Sequence, residues 1–401
     1  MNNTPNSNRK HIGIFGKTNA GKSSLLNAIL EQDISIVSDI KGTTTDSVTK
    51  AMELIPFGPV LFIDTAGLDD KTALGSLRVN KALGELKRTD FVLYLVDASE
   101  LNSTTINNNF YKDKQKLFKQ YNIPHLLIIN KIDLLDSSSL NELKENYPEA
   151  VFVSTKDRET ILDFKSKLIE HLSITEEDPS LIKDLVPYNG TVLMVVPIDS
   201  EAPKGRIILP QVQLIRDCLD CGIKSYVVRD TELESALDDL KHIDLIVTDS
   251  QAFKEVDSIV KGRFPLTGFS ILFARQKGDL KTLINGAHAI ENLKDGSRIL
   301  IAETCTHNTS HEDIGRVKIP NLLMKKTGKK LEFDFKMGRD FPDDLQPYDL
   351  VIHCGACMIN RKNMQNRINE VLEKETPITN YGVVLAYLTG ILDKATKMFT
   401  N

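Results

Sequence analysis

The chain has 401 residues, 41% of them hydrophobic and 26% charged, with a formal net charge of −5; at roughly 150 residues per domain this means two to three globular domains. Disordered, collagenous and coiled-coil classes are excluded, and the negative net charge gives no electrostatic reason to expect nucleic acid as a partner. No apolar run approaches the roughly 18 to 20 residues of a membrane-spanning helix. The polar N-terminus MNNTPNSNRK lacks a signal-peptide core. The expectation is a cytoplasmic protein without a membrane partner.

From Lys10 to about Leu172, short apolar runs (HIGIFG, VLFIDT, FVLYLVD, HLLIIN, AVFVS) alternate with helix-like stretches, which predicts a mostly parallel α/β sheet. The Asn-rich LNSTTINNN at 101–109 reads as a surface connection, and SITEEDPSLIKDL at 173–185 as an acidic linker. TVLMVVP, KSYVVR and HIDLIVT, with helices around 210–221, 231–241 and 250–261, form a smaller α/β repeat. A unit of that size needs a neighbour or a second copy to complete its core. From about Pro265, the strands SRILIAE and DLVIHC alternate with helical stretches around 277–293, 360–374 and 381–398. The expected division is 1–173, 186–262 and 265–401, an N-terminal P-loop domain followed by two smaller α/β domains.

GKTNAGKS, from Gly16 to Ser23, follows the strand HIGIF and precedes the helix-like SLLNAIL. This is the strand–loop–helix setting a P-loop requires. Gly16 and Gly21 let backbone amides turn toward phosphates, Lys22 reaches the β and γ phosphates, and the Ser23 hydroxyl serves Mg²⁺. Ser24 completes this end of the nucleotide site. Asn130-Lys131-Ile132-Asp133 follows the strand HLLII. The Asp133 carboxylate can accept from the two adjacent N–H groups of guanine, a pair adenine lacks. Asn130 can meet N7 or O6, and the Lys131 stem can lie along the base.

With Asp64-Thr65-Ala66-Gly67, Gly42-Thr43-Thr44-Thr45-Asp46 and Ser154-Thr155-Lys156 in their places, these loops resemble the five loops of a small GTPase domain. That resemblance implies GTP and Mg²⁺ as ligands, Asp64 on Mg²⁺ through water, Gly67 on the γ phosphate, Thr44 as the switch threonine on Mg²⁺, and Ser154 and Thr155 in the base loop. Lys22, Thr44 and Gly67 would be the catalytic set. Leu68 stands where Ras-like enzymes carry the Gln that orients water, so intrinsic hydrolysis is expected to be slow. GTTTD and the P-loop Asn19 resemble the TrmE-Era-like branch, whose potassium ion is held partly by that Asn. Thr45 replaces the usual Arg of that branch.

The five cysteines are uneven: none occurs before Cys218, Cys221 follows, and Cys305, Cys354 and Cys357 lie near the C-terminus. An odd number in a reducing compartment argues against a disulfide framework. Cys305-Thr306-His307 follows one predicted strand and His353-Cys354-Gly355-Ala356-Cys357 another. Both lie at carboxyl ends, where open α/β sheets bind ligands. A C-x-x-C turn with a third cysteine fits an iron–sulfur cluster, while Cys and His in this number also suit tetrahedral zinc. Leu214, Cys218 and Cys221 fall at i, i+4, i+7 of one helix, the spacing of core packing.

The combination of GTPase loops, Cys-x-His and His-Cys-x-x-Cys resembles the HydF family of [FeFe]-hydrogenase maturation GTPases over essentially the whole chain. The resemblance implies GTP-binding, dimerisation and cluster-binding domains in that order, in a homodimer or tetramer. It implies a scaffold whose [4Fe-4S] cluster on Cys305, Cys354 and Cys357 supports a diiron precursor, with radical-SAM maturases and the apo-[FeFe]-hydrogenase as partners. A fourth ligand could come from His307, His353 or Asp199. The competing expectation is a TrmE-Era-like GTPase with a structural zinc module in RNA or ribosome metabolism. A nickel or cobalamin maturation GTPase would carry a His-rich stretch that this sequence lacks.

Overall fold

The computed structural model describes residues 4–31, 48–65, 75–101, 111–174, 179–198, 205, 207–304, 313–338, 341–342 and 344–399, with backbone only at 75–80. Thr44, Gly67, Asp199, Cys305 and His307 lie outside the described residues, as do Leu68 and the segment 102–109. The chain divides into two compact units, Met1–Glu177 and Asp178–Asn401.

Among the described residues the first unit holds six strands, β1 (Lys10–Gly16), β2 (Val48–Leu54), β3 (Gly58–Asp64), β4 (Phe91–Asp97), β5 (His125–Asn130) and β6 (Val151–Val153). They run in the order β2-β3-β1-β4-β5-β6, with β2 antiparallel to β3 and the other pairs parallel. In β4, Phe91, Leu93 and Leu95 join one core, while Val92, Tyr94 and Val96 join the core on the opposite face. A parallel strand covered on both sides reads as a continuous apolar run rather than an alternation, which is why FVLYLVD is so legible. Leu25 and Leu26 of the helix Lys22–Leu30 and Phe164 and Leu168 of the helix Arg158–Ile174 cover the first face. Phe118 of the helix Lys112–Gln120 helps cover the second.

Among the described residues the second unit contains two four-stranded parallel sheets. One is ordered β10-β9-β7-β8 from β7 (Thr191–Val195), β8 (Lys224–Val228), β9 (Leu245–Thr248) and β10 (Leu266–Gly268). The other is ordered β12-β11-β13-β14 from β11 (Arg298–Glu303), β12 (Glu332–Met337), β13 (Leu350–His353) and β14 (Ile378–Asn380). The helix Phe269–Lys277 lies between their cores: Phe269, Leu272 and Phe273 pack with Val192, Met194 and Leu214, while Ile271 and Ala274 pack with Leu300, Val351 and Ile378. The small sheet thereby gains the core its own length cannot supply. The helical stretch expected over 381–398 is interrupted: the helix Tyr381–Thr389 ends on Gly390, whose φ of +75° stops it, and a short helix Leu392–Thr396 follows. Among the described residues no helix is long and apolar enough to cross a membrane.

Candidate functional site

The nucleotide site forms where β1, β3, β5 and β6 end. Register sets Ile14 beside Asp64, and Asn130 beside both Asp97 and Val153, so the loops that follow these strands gather at one edge of the sheet. At Gly16 a Cβ would lie 2.3 Å from the Leu95 carbonyl oxygen. The loop then uses left-handed backbone at Asn19 (φ 66°) and Gly21 (φ 94°) before the helix starts at Lys22, presenting its amides inward. Lys22 Nζ donates to the Gly16 carbonyl at 3.1 Å and the Lys17 carbonyl at 2.8 Å. The ammonium thus spans the loop that is to receive phosphate.

Ser23 Oγ donates to Asp64 Oδ2 at 2.6 Å, bringing together the two side chains expected on Mg²⁺. Asp64 is buried, and burial pushes its carboxyl pKa up against the opposing pull of Ser23 and Lys22. A carboxylate in that condition gains from a divalent cation, which offsets its desolvation. The donor set is hard oxygen, as Mg²⁺ requires. Ser24 lies in the first turn of the same helix.

In the base loop, Asn130 is buried and its Nδ2 donates to the Ala20 carbonyl at 2.9 Å. Lys131 has φ 64°, and its Nζ pairs with Asp97 Oδ2 at 2.6 Å. Asp133 is exposed, with Ser154 Oγ donating to Oδ1 at 2.8 Å and Lys156 Nζ to Oδ2 at 2.9 Å. Lys156 and then Ser154 hold its carboxyl below the ordinary carboxylate range, so it is an acceptor at neutral pH. Thr155 follows Ser154, which is fixed by reciprocal hydrogen bonds with Thr160, each 3.0 Å. Asp97 is the residue sequence reasoning missed. Its signal was its place at the end of the apolar run FVLYLVD.

The cysteine site lies at the carboxyl ends of β11 and β13. Cys354 is buried, and its Sγ accepts from the Thr304 amide at 3.2 Å with the Thr304 hydroxyl 3.3 Å away. His353 is fully buried; its Nδ1 stands 2.8 Å from the Cys354 carbonyl oxygen, and Arg367 Nη1 donates to Nε2 at 3.0 Å. Since Arg only donates, the ring is neutral with its proton on Nδ1. Burial raises the Cys354 thiol pKa, but His353, the Thr304 hydroxyl and the Ala356 amide outweigh it, so the net direction is down.

Cys357 is half-buried, and its thiol is pushed up by burial and by Cys354 while Lys277 opposes. Lys277 Nζ donates to the Ala356 carbonyl at 2.7 Å and the Ile359 carbonyl at 3.0 Å, which ties down the turn between the cysteines. Among the described residues no three His, Cys, Asp or Glu side chains converge as a metal site; Cys305, the expected third thiolate, is not among them. Two thiols flanked by buried Arg367 and Lys277 are soft donors in electropositive surroundings, which fits an anionic iron–sulfur group. Arg367 and Lys277 were not read from the sequence. Arg367 interrupts the buried stripe Met364, Ile368, Val371, and a charge on such a stripe was the available signal.

Cys218 belongs to the core of the β7 sheet, fully buried with Leu214, and burial pushes its thiol up to about 12. Cys221 packs at the edge of that core with Sγ 3.5 Å from Ser180 Oγ.

Three family models match the chain: 50S ribosome-binding GTPase over residues 11–131, hydrogen maturase F dimerization domain over 181–278, and hydrogen maturase F tetramerization domain over 281–398. Curated relatives include the tRNA modification GTPase MnmE of Treponema denticola, 37% identical over 151 residues (36% of this chain, 31% of the relative). Its counterpart in Flavobacterium psychrophilum is 31% identical over 164 residues (40% and 35%). The chain thus spans about a third of the length of these relatives. Among solved structures, Era of Aquifex aeolicus bound to GDP and aluminium fluoride aligns with a TM-score of 0.34 at 20% identity, covering 62% of this chain and 97% of that one. The two maturase models together span more than half of the chain, follow directly on its GTPase domain, and include both sheets of the second unit; the chain belongs to the hydrogen maturase F family.

Proposed function

We propose that this chain is a GTP hydrolase and iron–sulfur scaffold that carries a diiron precursor for [FeFe]-hydrogenase maturation. The observation that carries the reading is the buried Cys354, held by Thr304 and beside the cationic Arg367, within a domain of the maturase family. The division into GTP-binding, dimerisation and cluster-binding parts belongs to this reading, as do assembly into dimers and tetramers and exchange with radical-SAM maturases and the apo-enzyme.

In the GTP site, Lys22 exchanges its loop carbonyls for β and γ phosphate oxygens, and Asp133 selects guanine. Ser23 and Asp64, with Thr44, hold Mg²⁺, which supplies charge neutralisation at the phosphates. Gly67 meets the γ phosphate. Leu68 has no side-chain amide to orient water, so turnover is slow, and Asn19 would help hold a potassium ion that adds positive charge. In the second unit, Cys305, Cys354 and Cys357 hold the cluster, which when bound supplies iron with an exchangeable position. His353, fixed by Arg367, orients the Cys354 backbone. His307 and Asp199 remain candidate ligands in this reading.

The test is iron and sulfide analysis with electron paramagnetic resonance of the reduced, anaerobically prepared protein. The expected result is ~4 iron and ~4 sulfide per chain and a cluster signal lost in Cys305→Ala. A colourless preparation holding zinc overturns the scaffold reading.

A further inference from the structure

We propose that Asp97 is a positioning residue for guanine recognition, its carboxylate holding the Lys131 ammonium so that the lysine stem stands as a fixed wall for the base before nucleotide arrives. The inference rests on the reading of the GTP site and adds to it a residue from outside the motif loops.

β4 ends at Asp97 and β5 at Asn130, and these two residues are partners in the parallel ladder. The chain after Asn130 is the base loop, whereas the chain after Asp97 is the short turn Ala98–Glu100. Ala98 of that turn and Ile132 of the base loop pack into one apolar core. Asp97 therefore stands beside the residues that read the base without belonging to their loop.

The two carboxylate oxygens have different partners. Oδ1 accepts from the Ser99 amide at 3.0 Å and the Ser99 hydroxyl at 2.7 Å, which caps the turn, while Oδ2 accepts from Lys131 Nζ at 2.6 Å. Capping accounts for the first oxygen only. The Asp97 side chain is 11% exposed against 32% for Lys131, so the pair is largely shielded from salt. Burial alone would raise the Asp97 carboxyl, but Lys131 and Ser99 outweigh it and hold it below the ordinary carboxylate range. It is an anion at neutral pH, anchored through both oxygens.

Lys131 needs such a hold. A lysine stem is rich in rotamers, and ordering it only when a ligand binds subtracts from affinity. With φ 64° its backbone fixes where the stem leaves the loop, and Asp97 fixes where it ends. Asn130 is held separately by the Ala20 carbonyl, and Asp133 by Ser154 and Lys156. With Asp97 on Lys131, all three polar residues of Asn130-Lys131-Ile132-Asp133 meet the nucleotide already ordered, the condition that lowers the cost of binding.

The experiment uses the full chain as wild type, Asp97→Asn, Lys131→Met and the double variant. Asn caps a turn as well as Asp does, so a role confined to the turn predicts unchanged kinetics. Asp97→Asn should instead release GDP about 10-fold faster and raise KM for GTP by a similar factor, with kcat within about 2-fold of wild type. Lys131→Met keeps most of the stem without its tether and should release GDP as fast as Asp97→Asn; it also tests the pair independently of how the Asp97 variant folds. The double variant should be no faster than either single one. Wild-type release rates in either single variant, a fall in kcat at unchanged KM, or losses that multiply in the double variant overturn the proposal. Wild-type protein that binds no guanine nucleotide sinks the reading of the GTP site, and the positioning role with it, whereas wild-type binding with unaltered release from the variants sinks the positioning role alone.

Discussion

The amide nitrogen of Asn130 occupies the space that a side chain on Gly21 would need: a Cβ there would lie 2.3 Å from Nδ2, which donates to the neighbouring Ala20 carbonyl. The base loop is thereby latched to the phosphate loop. Gly21 also has φ 94°, which L residues rarely adopt. Gly21→Ala is expected to destabilise the first unit by about 1–3 kcal/mol and to weaken GTP binding by at least ~10-fold. Melting curves and titration with a fluorescent guanine nucleotide check both. Unchanged affinity would show that the latch has no part in binding.

Asp133 is held ionised by Lys156 and Ser154 with its carboxylate exposed, as acceptance from guanine N–H groups demands. Asp133→Asn puts an amide donor where guanine also donates, and GTP affinity should fall by about 100-fold or more. Xanthosine triphosphate, which carries a carbonyl where guanine has its amino group, should recover part of the loss. Competition between the two nucleotides measures this, and equal losses for both would exclude Asp133 from base recognition.

Asp64 makes a pH-dependent prediction. Burial raises its folded pKa above the ordinary 3.8, so its favourable contribution to stability is complete below that value and is lost as pH rises through the folded pKa. Above it, the nucleotide-free protein carries a buried carboxylate. Asp64→Asn should therefore raise the melting temperature of the nucleotide-free protein at neutral pH by roughly 2–4 °C. The gain should vanish below about pH 4, and Mg²⁺-dependent hydrolysis should be lost at every pH. A variant less stable than wild type at neutral pH would mean that the Ser23 bond outweighs desolvation.

The nucleotide site was legible because its strands are long, buried on both faces, and followed at once by polar loops, as HLLIIN is by Lys131. The strands that escaped notice carry weaker signals. β10 and β14 have three residues each, too few for periodicity, while β2 and β12 are edge strands in which charges break the apolar run, Lys50 in β2 and Glu332, Asp334 and Lys336 in β12. At the cysteine site, Cys354 and His353 could be read from the chain. Arg367 and Lys277 look like ordinary surface charges until the helices bearing them are seen to turn them inward.

Cys218 and Cys221 share the C-x-x-C spacing of Cys354 and Cys357 but not their surroundings. Cys218 is fully buried among apolar side chains, and burial pushes its thiol up to about 12. It should resist alkylation in the folded protein at pH 8 and react only on unfolding. Cys218→Ala should cost about 1 kcal/mol and leave the iron content unchanged. Loss of iron in a variant that melts normally would instead assign this pair a metal role.

Lys277 holds the turn between Cys354 and Cys357. It sits at the end of the helix Phe269–Lys277, is 5% exposed, and donates to the carbonyls of Ala356 and Ile359. Ala356 has φ 56°, an unusual backbone for a residue with a side chain, so the turn needs an external hold. Lys277→Met keeps the aliphatic stem but takes the Lys277 donor from both carbonyls, leaving Ala356 only the Ile359 amide at 3.3 Å, a loss of about 1–3 kcal/mol. Because those carbonyls belong to the segment between and just beyond Cys354 and Cys357, the effect should reach the metal. Iron should be stripped by a chelator several-fold faster than from wild type, while GTP binding in the other unit should be unaffected. A Met variant that melts lower yet holds iron as long as wild type would confine Lys277 to a structural part.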